Sequence, residues 1–326
     1  MRPAFSVVFL TTLIGVGQGM LVALVTGQWY FVIGAAPSQE GGLFYAFGSL
    51  AALAFLGLGL FASFFHLANP QRAWRSAARW RTSWLSREVV ALPAVMGLGI
   101  LYGAVHWLGL KPVLWTFSNQ KSLDLTMAVG FLVVGAALLL YVCTGMIYAC
   151  VKFVREWASF WTVINYTLMG LASGFTLAAG FAAVMDSRLE EFLIGDALTL
   201  TLAAMATRAF QFWRNGRLRQ PSTLKSAIGV HHQQIRQLTR GFLAEAFNTK
   251  EFFQPCTRQT LKGMAAFALF FGFALPAMLL VAAWIKNETP FLAMAFLSQY
   301  LGLLVERWVF FAQGNHVQNL YYQRAA

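Results

Sequence analysis

Read from the N-terminus, the chain alternates between apolar runs of roughly twenty residues and shorter polar intervals. The runs recur eight times, at roughly 5–33, 44–67, 89–110, 125–151, 160–185, 192–213, 263–285 and 290–312. A helix of about twenty apolar residues crosses the hydrocarbon core of a bilayer. Lipid offers backbone groups no partners, so each run must satisfy its own as a helix. The pattern therefore predicts an all-α, polytopic transmembrane bundle of eight spans, a single integral membrane domain over 1–326 with no repeat legible in the residues. Arg2 precedes the first run as it would in a signal peptide, but the run is too long for an h-region and no Ala-x-Ala site follows promptly, so it reads as a retained helix. Gly15 with Gly19, and Gly170 with Gly174, stand four residues apart, a spacing that lets helices in lipid approach closely.

The polar intervals carry the next layer of information. In the interval from 71 to 85, Ala73, Ala77, Trp80 and Trp84 fall on one face at helical spacing and Arg72, Arg75 and Arg79 on another. That is the pattern of an amphipathic helix lying in the interface. The interval from 214 to 262 is a long basic loop, too small to house an independent enzyme, so any hard chemistry falls to a partner or to the membrane. Composition agrees: 58% of residues are hydrophobic and 11% charged, with a mean hydropathy of +0.60, against about a quarter charged in soluble proteins. The net charge of +12 sits between spans and does not point to nucleic acid. Eighteen of the 24 lysines and arginines fall on the side that carries both termini and the long loop. Only Lys111, Lys121, Arg188 and Lys286 fall on the other, where Glu40, Asp124, Asp186, Glu190, Glu191, Asp196 and Glu288 gather. The positive-inside rule then places the termini and the loop in the cytoplasm of a multi-pass protein of the cytoplasmic (inner) membrane. Cys143, Cys150 and Cys256 have no Cys-x-x-Cys spacing, so no iron–sulfur, zinc or disulfide framework is expected within this chain.

The densest candidate chemistry follows the second span, in Phe65-His66-Leu67-Ala68-Asn69-Pro70-Gln71-Arg72-Ala73-Trp74-Arg75. Pro70 discourages helix at Asn69, which leaves His66 in the last helical turn at the edge of the bilayer. An imidazole there can hydrogen-bond a carbonyl oxygen and exchange a proton near neutral pH, as a quinone headgroup requires. Asn69, Arg72, Trp74, Arg75, Trp80 and Trp84 complete the candidate quinone site; the plainer reading of the tryptophans and arginines is anchoring at the headgroups. Ser86 and Glu88 suit the start of the third helix, as cap and dipole partner. Within the last span Glu306 and Arg307 are costly in lipid unless paired or facing water. Adjacent residues diverge by about 100°, so each is expected to pair with another helix, with Arg208 and Gln18 as candidate partners in a buried ion pair or a proton path. No haem is expected, because of the histidines only His66 and His316 share a side, and His316 lies beyond the membrane.

The runs His66-Leu67-Ala68-Asn69-Pro70-Gln71-Arg72-Ala73-Trp74 and Trp80-Arg81-Thr82-Ser83-Trp84-Leu85-Ser86-Arg87-Glu88, together with Thr144-Gly145-Met146-Ile147-Tyr148 and Glu306-Arg307-Trp308, resemble the membrane anchor subunits of dimethyl sulfoxide reductase-type molybdoenzymes. Within that family the chain looks most like the anchors of cytoplasm-facing sulfite dehydrogenase complexes. The resemblance implies three subunits: a molybdenum (molybdopterin) catalytic subunit and an iron–sulfur cluster subunit on the cytoplasmic side, with those cofactors in the partners only, and this anchor in the bilayer. It also implies that His66 contacts ubiquinone or menaquinone. Reversed flow, from quinol to a dimethyl sulfoxide-type reductase, is the alternative, and a secondary transporter a third reading.

Overall fold

The structure is a computed structural model that describes residues 1–36, 40–116, 122–219, 222–236 and 256–321. Among the described residues, eight helices are long and apolar enough to cross a membrane: α1 (Phe5–Val32), α2 (Gly42–Ser63), α3 (Trp84–Trp107), α4 (Leu125–Ala149), α5 (Phe160–Val184), α6 (Glu190–Asn215), α7 (Arg258–Lys286) and α8 (Thr289–Gln313). Their outward residues include Leu50, Leu58, Ile100, Leu132, Leu139, Met278 and Leu301, a surface suited to lipid and costly in water. The chain is thus a multi-pass membrane protein. With eight spans, the ends of α2, α4, α6 and α8 share the N-terminal face.

Polar caps, rather than the apolar runs, set several boundaries. The Ser83 hydroxyl accepts the backbone N–H of Ser86, so α3 opens at Trp84, and Ser86 is the capped residue rather than the cap expected of it. Asp124 and Ser159 cap α4 and α5 in the same way. Thr257 accepts the Thr260 N–H and starts α7 at Arg258, before its apolar run. On the opposite face a two-stranded antiparallel ribbon, Val113–Thr116 with Ser122–Asp124, links α3 to α4.

The helices form two rings of four. In α1–α4 consecutive helices pack and α1 also meets α4; α5–α8 repeat that order, with α5 meeting α8. The rings join mainly through α1 against α5, where the spaced glycines face each other. A Cβ on Gly19 would collide with the Gly170 carbonyl oxygen, and one on Gly174 with the Gly19 backbone. α7 is interrupted at Phe270–Ala274 by a π turn just before Pro276. Proline supplies no N–H and crowds the carbonyl four residues back, so the wider turn absorbs the misfit. The Ser298 hydroxyl donates to the Phe271 carbonyl at 2.9 Å, and Gly272 lies against Gly302 of α8. α7 packs on α6 mainly through its π turn and second half.

Candidate functional site

The segment after α2 is built at the N-terminal face. A single 3₁₀ turn, Phe64–His66, closes the second span, and Pro70, at the first position of the next element, starts a second 3₁₀ helix that runs to Arg79. The amphipathic helix expected over 71–85 is therefore shorter and more tightly wound. At three residues per turn Arg72 aligns with Arg75, and Trp74 with Ala77 and Trp80. Trp84 leaves this segment for the first turn of α3, where it is half-buried. His66, Asn69, Arg72, Trp74, Arg75 and Trp80 are all exposed. The segment packs on α3: Arg87 donates to the carbonyls of Trp80 and Arg81, at 3.0 and 2.8 Å, while its guanidinium lies 4.1 Å from the centroid of the Trp84 ring. The result is a shelf bearing an imidazole, two indoles and several cations. It can hydrogen-bond a carbonyl-bearing ring and exchange a proton with it.

Behind the shelf lies a polar interior. Arg208 of α6 and Glu306 of α8, both fully buried, form an ion pair at 2.6 Å. Arg307 also reaches Glu306, at 3.4 Å, although neighbouring residues were expected to part; its long side chain folds back while its guanidinium lies over the Tyr166 ring, 3.6 Å from the centroid. Arg208 donates to Gln211 at 2.7 Å, Gln211 to Thr162 at 3.1 Å, and Thr162 to the Trp157 carbonyl at 2.7 Å. This ladder runs from the buried charges to the loop between α4 and α5. Glu88 of α3 is buried and accepts the Thr144 hydroxyl of α4 at 2.6 Å. Two cations thus share the Glu306 carboxyl inside the bundle, where an uncompensated charge costs several kcal/mol, on the order of 3–5.

Glu88, Arg307, Gln18, Thr12, Thr144 and Tyr166 line a cavity of about 20 Å³. That is room for a single water and far below a quinone ring. The side-chain oxygen of Gln18 is buried without a hydrogen-bond partner, so Gln18 serves this cavity and does not bond Glu306 or Arg307. His66 is not among the lining residues. Glu88 was missed as a site residue because hydropathy draws the helix edge at 89. The Ser83 cap was the available signal: counted from it, Glu88 is the fifth residue of α3 and lies inside the bundle.

The bundle is that of a polytopic membrane protein with a buried ion pair toward its N-terminal face and a shelf of cations and indoles on that face. The chain belongs to the DMSO reductase anchor subunit (DmsC) family, which matches residues 3–313. It is 46% identical, over 326 residues and the full length of both chains, to a sulfite dehydrogenase subunit of Allochromatium vinosum. As an anchor subunit it works in a complex with catalytic partner subunits.

Proposed function

We propose that this subunit passes electrons from sulfite oxidation to the quinone pool, holding a quinone against the His66 shelf while a molybdenum subunit and an iron–sulfur subunit dock on the N-terminal face. The observation that carries the reading is the junction at α3: its first turn fixes the exposed His66–Trp80 segment through Arg87, and its fifth residue, Glu88, enters the polar interior. A proton-exchanging shelf and a buried carboxyl are thereby held on one helix end. Membership of an anchor-subunit family and the sulfite dehydrogenase relative support catalytic partners of this kind, and the bias of basic residues favours the cytoplasmic side.

On this reading the partner oxidises sulfite and water to sulfate, releasing two electrons and two protons. The quinone takes up two electrons and two protons to become quinol. His66 hydrogen-bonds a quinone oxygen and gives it a proton. Arg72 and Arg75 offset the negative charge that develops there, Asn69 supplies a further polar contact, and Trp74, Trp80 and Trp84 cover the ring. Glu88, the buried carboxyl on the helix end that holds the shelf, is the group that resupplies this proton. Protons are drawn from the cytoplasm, so little charge crosses the membrane. The family description itself favours one second reading, quinol oxidation feeding a reductase, which uses the same residues in reverse.

In the purified three-subunit complex, His66→Ala is expected to lower quinone reduction by about 10²–10⁴-fold, the usual worth of a positioned general acid, while sulfite oxidation with a soluble artificial acceptor is unchanged. Loss of both activities, or of neither, overturns the assignment. Glu88→Gln is expected to slow quinone reduction and to leave the artificial-acceptor activity alone.

A further inference from the structure

A second and larger opening lies on the same face in the other ring. Between the end of α6, the start of α7 and the end of α8 is a cleft of about 530 Å³, within the range of small-molecule sites, about 300–1,000 Å³. It lies beside the first half of α7, which meets α6 less than the π turn and second half do. Arg258 and Lys262, one turn apart on α7, line the opening together with Asn215. Both cations are exposed and neither has an ion-pair partner among the described residues. Phe212 and Leu261 give the wall an apolar part. The single acidic side chain, Glu156, already accepts the Asn315 backbone N–H. Trp213 of α6, with the Arg217 guanidinium 3.9 Å from its ring centroid, marks the depth of the headgroups.

The order of helices makes this cleft the counterpart of the His66 region. His66 is the last residue of the second span and Asn215 the last of the sixth. The fifth residue of α3 is Glu88, and the fifth of α7 is Lys262. At equivalent places, an imidazole and a carboxyl are replaced by an amide and a cation. We propose that the cleft binds the phosphate-bearing headgroup of an anionic membrane phospholipid. Arg258 and Lys262 grip the phosphate, the Asn215 amide donates to a headgroup oxygen, and an acyl chain runs down Phe212 and Leu261. Basic pockets between membrane helices on the cytoplasmic side have the chemistry for such headgroups. The site is independent of what the His66 shelf does.

The test uses the full chain purified in neutral detergent and read by native mass spectrometry, after mixing with phosphatidylglycerol, with phosphatidylcholine, or with phosphatidylglycerol plus excess inorganic phosphate. Phosphatidylglycerol is expected to remain bound preferentially, phosphate to compete weakly, and the double variant Arg258→Gln/Lys262→Gln to bind at least tenfold more weakly. The charge-matched control Lys152→Gln/Lys225→Gln and the charge-keeping variant Arg258→Lys/Lys262→Arg are expected to bind normally. If the double variant fails to fold, the single change Lys262→Gln on an exposed side chain carries the same comparison. Equal retention by the variant, equal retention of phosphatidylcholine, full displacement by inorganic phosphate, or displacement by added ubiquinone would each overturn the proposal.

Discussion

At the scale of single residues, the buried cluster of Arg208, Glu306 and Arg307 is the most demanding feature. Removing one partner of a buried pair strands the other, so Glu306→Gln or Arg208→Met is expected to cost about 3–5 kcal/mol. The cost is read as a lower unfolding midpoint in a denaturing-detergent titration of the full chain. Glu306, Arg307 and Arg208 were legible in the sequence because charges stand out inside apolar runs. Their partnership was less legible: Arg208 and Gln18 stood equally as candidate partners, and the Glu306–Arg307 contact depends on side-chain length, which spacing does not encode. Glu88 was hidden for a different reason. Hydropathy measures where apolar residues begin, while a helix begins where its first N–H groups are satisfied, here at Ser83.

At the scale of elements, the crossing of α1 and α5 is set by backbone contact at Gly15, Gly19, Gly170 and Gly174. Gly174→Ala puts a Cβ into the backbone of Gly19, where nothing can rotate aside. Overpacking of this kind costs about 1–3 kcal/mol, measurable as a lower melting temperature in detergent. Gly195→Ala, which would meet nothing within 4 Å, is the matched control and is expected to leave the melting temperature unchanged. The eight spans were readable to within a few residues because length and hydropathy decide them. The 3₁₀ winding of Pro70–Arg79 was not, because alternating arginine and tryptophan suit an interface at either period. Pro276 lies deep in the seventh span, but a proline alone does not say that the helix will answer it with a π turn.

At the scale of the molecule, the two rings of four were illegible because their equivalence survives in helix order and in positions such as Glu88 and Lys262, not in repeated residues. Sidedness can be checked with native cysteines. Cys150 is exposed and Cys256 partly so, both on the N-terminal face, while Cys143 is buried. A membrane-impermeant maleimide is expected to label the chain in inverted membrane vesicles and not in intact spheroplasts; labelling in spheroplasts would turn the proposed orientation over. The exposed His66 shelf has a further consequence. It offers one wall only, with Trp74 and Trp80 standing 71% and 55% open, so the opposite wall must come from whatever docks there. On the proposed function, a lone copy waiting in the bilayer would grip its carrier too loosely to react with it, and respiratory wiring would switch on only once assembly is finished.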